Sequence, residues 1–287
     1  MNPPVVLITG VTSGIGQATS AFLASKGMRV FGTVLEPVEG LRQHPDGYQI
    51  TTMDVRDDES VKRAVDAVLS SAHRIDVLVN NAGIGFMAPL EEIGIDDARR
   101  LFEVNTLGPL RMIQAVLPSM RAQRRGLIIN ITSIGGQIAI PFDGVYSASK
   151  FALEGLSEAL SLELRRFGID VAIIEPGDIN TGMTARSAVE RTIDEASPYA
   201  HDLTRALAAA QENEREGSSP QRIATLVERL ISARRPALRS VGGTVTERLM
   251  IPVKHLLPDR FFERLVARQY GLGSSAAPSD RTVSSGR

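Results

Sequence analysis

The chain has 287 residues, 43% of them hydrophobic, and its 32 basic and 33 acidic residues give a net charge of −1. Such a chain can bury the core of one large α/β domain, and its even charge balance excludes the basic surface that nucleic-acid-binding proteins need. It contains no cysteine, which excludes disulfides, thiolate catalysis and cysteine-ligated metal centres.

The N-terminal segment predicts a strand, a glycine-rich turn, a helix and a second strand. The apolar run 5–8 is the first strand, residues 17–26 form the helix with Gly27 as its C-cap, and residues 29–34 form the second strand. Such a turn lets the backbone approach a pyrophosphate, and the helix N-terminus offers free N–H groups to it. The alternative is that the glycines only make a turn. The turn reads Thr9-Gly10-Val11-Thr12-Ser13-Gly14-Ile15-Gly16.

Further strands follow in alternation with helical stretches. Consecutive βα units predict a parallel sheet with helices on both faces, that is, one Rossmann-type, doubly wound α/β domain over residues 1–272. The ligand crevice of such a sheet lies at the carboxyl ends of its strands. The predicted strands are 49–53, 75–80, 126–132, 169–175 and 238–242. The residues that they place at the crevice are Gly10, Asp54, Asn81, Ser133 and Pro176.

A helix is predicted over 145–164, because apolar residues recur there with helical spacing. Tyr146 and Lys150 are four positions apart and therefore lie on one face of it. A phenol titrates near pH 10, and a nearby ammonium lowers its pKa, so the pair suits general acid/base catalysis. The alternative is an ordinary half-buried helix pair.

The remaining features concern location and metal binding. The four histidines lack the spacing of a metal site, so no metal is expected. No run approaches the roughly 18 apolar residues of a transmembrane helix, and the first strand begins too close to Met1 for a signal peptide. These observations predict a cytoplasmic protein. The polar composition of 273–287 predicts a disordered tail.

Several motifs together resemble the classical short-chain dehydrogenase/reductase family, over residues 4–185 and in the expected order. The resemblance implies hydride transfer between a nicotinamide cofactor and a small-molecule alcohol or ketone. The motifs are Thr-Gly-x-x-x-Gly-Ile-Gly from Thr9, Asn80-Asn81-Ala82-Gly83, Glu103-Val104-Asn105, Ser133 thirteen positions before Tyr146, Lys150, and Pro176-Gly177 followed by Thr181.

The resemblance implies a role for each of four catalytic residues. Tyr146 would exchange a proton with the substrate oxygen, and Ser133 would hold that oxygen in line. Lys150 would lower the pKa of the phenol and bind the nicotinamide ribose. Asn105, in the middle of a helix, would bind a water that links Lys150 to solvent.

The resemblance also implies cofactor contacts. Asp54 and Val55 would meet the adenine, although an Asp at a strand end can also be a turn former. The implied cofactor residues are Gly10, Thr12, Ser13, Gly14, Ile15, Gly16, Leu35, Glu36, Asp54, Val55, Asn81, Ala82, Gly83, Tyr146, Lys150, Pro176, Gly177, Ile179 and Thr181.

NAD is expected rather than NADP. A 2′-phosphate needs cationic partners, but the relevant positions hold Ser13 and Leu35, and Glu36 adds a negative charge. Val34 occupies the place of the Asp that often binds the ribose hydroxyls of NAD. The segment 30–35 resembles the retinol, 3-hydroxysteroid and hydroxybutyrate dehydrogenase branch, whose members with Leu here tend to use NAD.

That branch suggests a lipophilic substrate of the steroid, retinoid or fatty type. The segment 182–236 is expected to face it, with the helix 200–216 as a lid, a solvated amphipathic helix, or both. The apolar block 249–262 either covers the pocket or belongs to the core. Homodimers or homotetramers are common in the family, and the apolar positions Phe151, Leu153 and Leu160 suit either an oligomer interface or the core.

Three alternatives compete with this interpretation. An NADPH-dependent carbonyl reductase would keep the same catalytic residues. A nucleotide-sugar epimerase or dehydratase is disfavoured by the three-residue gap between Gly10 and Gly14. A non-catalytic dinucleotide-sensing protein would have lost Ser133, Tyr146 or Lys150, and all three are present.

Overall fold

The computed structural model describes residues 3–184 and 193–272. The predicted tail 273–287 lies outside them. In the described part of the chain the strands are β1 (Val5–Ile8), β2 (Arg29–Val34), β3 (Arg42–Gln43), β4 (Gln49–Thr52), β5 (Val77–Asn80), β6 (Gly126–Ile131), β7 (Ile169–Glu175) and β8 (Arg239–Val241). The α-helices there are α1 (Gly14–Ser25), α2 (Asp58–Ala72), α3 (Ile95–Phe102), α4 (Gly108–Gln123), α5 (Gly144–Leu164), α6 (Ala200–Glu216), α7 (Pro220–Ser232), α8 (Val245–Leu256) and α9 (Asp259–Gln269).

The strands form one sheet in the order β3-β4-β2-β1-β5-β6-β7-β8. The short edge strand β3 is antiparallel to β4, and the other neighbours pair in parallel. The chain winds outward from β1 in one direction and then, from β5, in the other. The doubly wound single-domain prediction is therefore confirmed, and a crevice opens where the winding reverses, between β1 and β5.

Alternate residues of each strand supply two separate cores, one on each face of the sheet. Val5 and Leu7 face a cluster with the apolar sides of α2, α4 and α5, whereas Val6 and Ile8 face a cluster with α1 and α7. Each fully buried aliphatic side chain stabilises the fold by roughly 1.5 to 3 kcal/mol. The sheet is therefore a rigid platform for the groups at the ends of its strands.

Helix α7 belongs to this platform. Its residues Ile223 and Val227 are fully buried in the cluster that also contains Leu23 of α1. The substrate-facing segment expected over 182–236 thus includes a helix that packs on the sheet.

The apolar positions Phe151, Leu153 and Leu160 of α5 suit either an oligomer interface or the core. Leu153 and Leu160 are buried, so they are core residues, whereas Phe151 is partly exposed.

The C-terminal helices pack beside the sheet rather than on it. Phe262, Val266 and Tyr270 form a third cluster with Ile138 and Ala206, which joins α9 to α6. Helix α8 starts with a capping box between Thr244 and Glu247, and it contains no fully buried residue. The block 249–262 is therefore only partly core.

Candidate active site

A cleft of about 910 Å³ lies at the carboxyl ends of the parallel strands. It is lined by the residues that follow successive strands, because parallel strands end at one edge of the sheet. The predicted crevice residues Gly10, Asp54, Asn81, Ser133 and Pro176 all line it. Its volume suits a bound small molecule.

The glycine-rich turn forms one end of the cleft. Gly10 and Gly14 have φ of +70° and +58°, a region that favours glycine. Helix α1 begins at Gly14, three residues earlier than the sequence predicts, and its first turn contains no acidic residue. Ser13 and Gly14 line the cleft, so the N-terminus of α1 faces it. An anionic phosphate is suited to this position because of the free N–H groups and the helix dipole.

Side chains connect this turn to the loop after β5. Thr9 Oγ1 accepts hydrogen bonds from the backbone N–H groups of Asn81 and Ala82, at 3.0 and 2.9 Å. Asn81 Nδ2 donates to the carbonyl oxygens of Thr9 and Gly10, both at 2.9 Å. We refer to these four bonds as the β1–β5 clasp.

Gly16 packs against this clasp. A Cβ atom at Gly16 would overlap the carbonyl oxygen of Gly10 and would lie 2.5 Å from Asn81 Nδ2. We therefore expect Gly16→Ala to lower the free energy of unfolding by about 1 to 3 kcal/mol, as overpacking does. Chemical denaturation would measure this. Gly155→Ala in α5 is the control, because nothing lies within 4 Å of its added Cβ, and it should stabilise the helix slightly. A Gly16→Ala protein as stable as the wild type would contradict the expected clash.

Tyr146 and Lys150 lie in the first two turns of α5, and both line the cleft. Both are buried, and Lys150 Nζ donates a hydrogen bond of 3.0 Å to the carbonyl oxygen of Ile131. The same Nζ lies 5.7 Å from the centroid of the Tyr146 ring. Burial lowers the pKa of Lys150 to about 8.

The pKa of Tyr146 differs from the expectation. Burial and the nearby charge of Asp143 raise it above its ordinary value, and hydrogen bonding with Ser133 only partly opposes this. Desolvation is the largest of these causes, so the net direction of the pKa shift is opposite to the lowering expected from Lys150. The phenol is held in its protonated form.

Ser133 follows β6 and lies beside Tyr146. Its Oγ accepts a hydrogen bond of 2.9 Å from the backbone N–H of Gly135, within a short 3₁₀ turn at Ile134–Gly136. This bond fixes the side-chain oxygen while leaving the hydroxyl proton available as a donor.

Asn105 lies in a π-helical turn, Glu103–Leu107, between α3 and α4, and not in a regular helix. It is fully buried, and its amide accepts from the N–H of Ile84 and donates to the Ile84 carbonyl and to Ser149 Oγ, at 2.9, 2.8 and 3.0 Å. Such π-turns redirect one side chain and frequently occur at functional sites. Gly83 approaches both Asn105 and Lys150, so Asn105 supports the loop that carries cleft residues.

Most of the other predicted site residues line the cleft. The exceptions are Gly16, Glu36 and Asn105, which are not among the residues that line it. Asp54 lines it, but its carboxylate accepts hydrogen bonds from the backbone N–H and the guanidinium of Arg56, which holds the pKa of Asp54 low. Both roles considered for Asp54, turn former and cleft residue, are therefore compatible with the structure.

The far end of the cleft is formed by residues that the sequence analysis did not single out. Leu203, Leu207 and Ala210 of α6 line it, and their spacing of four and three is a signal for one helix face. Asp143 also lines the cleft, three positions before Tyr146, and its charge acts on the Tyr146 phenol. Tyr270 reaches the cleft from beyond α9, and no local pattern predicts this.

Glu214 attaches α6 to the loop after β7. Its carboxylate accepts from Thr181 Oγ1 and from the N–H groups of Met183 and Thr184, at 2.8, 2.7 and 2.9 Å. The loop residues and α6 are therefore held together as one wall of the cleft.

The cleft combines a glycine-rich turn with a Ser, a Tyr and a Lys at the edge of a doubly wound sheet. This is the architecture of an α/β oxidoreductase. The sequence model of the short chain dehydrogenase family matches residues 4–192. The chain belongs to this family, and it is an oxidoreductase.

The comparisons with individual proteins agree with this. The chain is 38% identical over 263 residues to a 3-ketodihydrosphingosine reductase of Bacteroides thetaiotaomicron, covering 92% of this chain and 96% of the relative. It is 34% identical to human 17-beta-hydroxysteroid dehydrogenase type 1, covering 89% and 81%. A short-chain dehydrogenase structure from Streptomyces avermitilis matches with a TM-score of 0.75 and 28% identity, covering 95% of this chain and 98% of that one. The expected likeness to a hydroxysteroid-type branch is confirmed.

Within residues 3–184 and 193–272, no helix is long and apolar enough to cross a bilayer. Within the same ranges, no group of three or more His, Asp or Glu side chains is arranged to hold a metal ion.

Proposed function

We propose that the chain is an NAD(P)-dependent oxidoreductase that transfers a hydride between a nicotinamide and a lipophilic secondary alcohol or ketone. The observation that carries this proposal is that Ser133, Tyr146 and Lys150 line one cleft together with the glycine-rich turn. The turn suits the diphosphate, and its glycines leave no side chain between the backbone and that group.

In this proposal the nicotinamide, when bound, supplies or accepts the hydride. Tyr146 holds a proton on its phenol oxygen and donates it to the carbonyl oxygen during reduction, because burial keeps the phenol protonated. Ser133 donates a hydrogen bond to the same oxygen and orients it. Lys150 is a buried cation close to the phenol, and it balances the charge that remains on the phenol oxygen after proton transfer.

The lipophilic character of the substrate is supported by the far end of the cleft. Met87, Ile140, Leu203 and Leu207 give it an apolar lining. Two relatives are named for lipid-type ketones or alcohols, a 3-ketodihydrosphingosine reductase and a 17-beta-hydroxysteroid dehydrogenase. Within residues 182–236, we propose that α6 is the part that covers the substrate.

For the cofactor we propose a preference for NAD. Leu35 lines the cleft and is 68% exposed, so no cation is present at this position to pair with a 2′-phosphate. Arg56 also lines the cleft, but its guanidinium is engaged with Asp54 through contacts of 2.6 to 3.1 Å. An NADPH-dependent carbonyl reductase remains the second candidate, because release of Arg56 from Asp54 would provide a cation.

We expect Leu35→Arg combined with Glu36→Gln to shift selectivity toward NADP by at least about tenfold, because a charge-assisted bond to phosphate contributes on the order of 1.5 to 3 kcal/mol. The ratio of kcat/KM values for the two oxidised cofactors measures it. Glu36→Gln alone is the control and should change the ratio far less. Unchanged selectivity in the double variant would mean that the 2′ position lies away from Leu35.

The proposed function is tested by titrating the protein with NAD, NADH, NADP and NADPH, followed by a panel of steroids, retinoids and aliphatic ketones monitored by nicotinamide absorbance. Turnover of a lipophilic member with NAD(H) supports it. Turnover only with NADPH favours the carbonyl reductase, and cofactor binding with no turnover across the panel favours a dinucleotide sensor. Light scattering of the same sample tests the homodimer or homotetramer that we also propose.

A further inference from the structure

Helix α8 has its apolar and charged sides reversed. A surface helix of a globular protein normally buries its apolar side and exposes its charged side. In α8 the side chains of Val245, Leu249 and Leu256 are 71%, 57% and 82% exposed. Their spacing of four and then seven positions places all three on one face of the helix. We refer to these three residues as the outer stripe.

The charged residues Glu247 and Lys254 of α8 face the protein instead. The Glu247 carboxylate accepts hydrogen bonds from the backbone N–H groups of Asp178 and Thr244, both at 2.5 Å. Lys254 Nζ donates to the carbonyl oxygen of Gln137. These bonds fix the rotation of α8 about its axis, because each charge has its partner on the inward side. The outer stripe therefore faces solvent as a consequence of specific contacts.

Helix α9 extends the same surface. Met250 of α8 and Phe262 and Val266 of α9 pack with their inward sides in the third hydrophobic cluster. Only residues 257–258 separate the two helices, so the sides that point away from this cluster are neighbours. On the outward side of α9, Phe261 is 49% exposed. The apolar surface thus continues from one helix to the next.

The charged residues on the outward sides are arginines. Arg248 is exposed and borders the outer stripe, three positions after Val245. Arg264 and Arg268 are exposed and lie three and seven positions after Phe261, on the same side of α9. Apolar side chains bordered by arginines suit the surface of a bilayer with anionic lipids, because the apolar groups enter the boundary region and the guanidinium groups bind phosphates.

The acidic residues of the two helices lie elsewhere. Glu247 faces inward, as described above. Asp259 and Glu263 are exposed, but each is two positions from Phe261, which in an α-helix is nearly the opposite side. Glu263 pairs there with Arg260 at 2.9 Å. The outward sides of α8 and α9 therefore present positive charge without the carboxylates of these helices.

Two other occupants of this surface are less suited to it. The segments 185–192 and 273–287, outside the described residues, each contain a single large apolar residue, a valine, and so have little apolar surface to offer. A second copy of the chain across a two-fold axis would bring Arg248 and Arg264 close to the same residues of its partner. Juxtaposed like charges oppose such a contact.

We propose that the outward sides of α8 and α9 form a membrane-docking face that binds the surface of a bilayer containing anionic lipids. The outer stripe and Phe261 enter the boundary between headgroups and acyl chains, and α8 lies in the plane of the surface. Met87 and Ile140 belong to the cluster beneath α8 and also line the cleft. Docking therefore brings the apolar end of the cleft close to the bilayer, where a lipophilic substrate dissolves.

Cosedimentation of the full chain with vesicles tests the docking. The wild type should bind vesicles of mixed phosphatidylcholine and phosphatidylglycerol at least about tenfold more tightly than vesicles of phosphatidylcholine alone. High salt should weaken the binding, because it screens the arginines. Leu249→Gln with Leu256→Gln should lower the partition coefficient on mixed vesicles by at least about tenfold, since two apolar side chains no longer enter the boundary region.

Leu162→Gln is the matched control. Leu162 is 73% exposed and lies on α5, so this variant loses an exposed leucine outside the proposed face and should bind as the wild type does. Arg264→Gln with Arg268→Gln should weaken binding to mixed vesicles by about fivefold or more and hardly change binding to phosphatidylcholine. Thermal melting of each variant confirms that it is folded, which is expected because the substituted side chains are exposed.

Two results would overturn the proposal. The first is a wild type that binds neither kind of vesicle, or a Leu249→Gln, Leu256→Gln variant that binds as well as the wild type. The second is a wild-type dimer in light scattering that becomes a monomer in this double variant without vesicle binding, because the face would then join two copies. Vesicle binding is measured without substrate, so an inactive protein that docks would contradict only the proposed function.

Discussion

Tyr146→Phe is expected to lower kcat by about 10²- to 10⁴-fold, the contribution of a positioned general acid or base. The substitution removes the phenol oxygen and leaves the ring, which packs beside Gly85 and Gly135. The glycine-rich turn is untouched, so cofactor affinity should stay near that of the wild type. Steady-state kinetics together with cofactor titration by fluorescence measure the two quantities separately.

The matched control is Tyr270→Phe, because it removes the other phenol of the same cleft. Tyr270 comes from beyond α9, and the charges that act on its phenol are those of Asp178, Asp143 and Glu247. Tyr270→Phe should lower kcat much less than Tyr146→Phe does. A Tyr146→Phe enzyme with nearly full activity, or equal losses in the two variants, would be inconsistent with Tyr146 as the proton donor.

Arg239→Met is expected to destabilise the fold by about 2 to 4 kcal/mol at pH 8. The guanidinium donates to Glu175 at 3.1 Å and to Glu154 at 2.9 Å, and the side chains of these residues are only 1% and 6% exposed. Removing the cation leaves two buried carboxylates without it, which typically costs about 3 to 5 kcal/mol. We expect a smaller loss of stability than this typical cost, because the Arg239 side chain is one-third exposed to solvent. Urea denaturation measures the change.

The loss of stability in Arg239→Met should depend on pH in a defined direction. Burial, with the neighbouring charge of Glu154, raises the pKa of Glu175 from its ordinary 4.5 to about 7. The folded state therefore binds this proton more tightly, and stability falls as the pH rises from about 4.5 to 7. A protonated Glu175 does not need a cation, so Arg239→Met should cost less at pH 5 than at pH 8.

Arg215→Met is the control for this variant. Arg215 pairs with Glu212 on the surface of α6, where both side chains are more than half exposed. Exposed pairs contribute little, so the denaturation midpoint should hardly move. An Arg239→Met protein that is equally destabilised at both pH values would show that Glu175 is not the group responsible.

The parts of the fold that the sequence predicts are those with a local cause. Helix α6 has the predicted bounds 200–216, because glycine, serine and proline at 217–220 end it. The predicted strands and the turn at Gly10 follow from apolar runs and glycine spacing, whereas no apolar run marks the short edge strand β3. The π-turn at Asn105 is not predictable in this way, since Glu103–Leu107 has an ordinary helical composition.

Long-range contacts determine the parts of the site that cannot be predicted from the sequence. Tyr270 enters the cleft only because α9 packs against α6, and Arg239 meets Glu154 across 85 positions. The direction of the Tyr146 pKa shift is also not predictable from local sequence. The spacing to Lys150 is local, but the desolvation depends on every element around the ring. Asp143 is visible in the sequence, yet its failure to cap α5 is a property of the folded cleft.

The β1–β5 clasp has a consequence for the order of folding. Its bonds join residues separated by 71 to 73 positions, so the phosphate-facing turn reaches its final geometry only after two strands far apart in sequence have paired. Contacts of this range form slowly because a long loop must close first. We therefore expect the N–H groups of Asn81 and Ala82 to gain protection from hydrogen exchange late in refolding, after α1 and α2. A nascent chain released before β5 would contain the turn sequence without its shape.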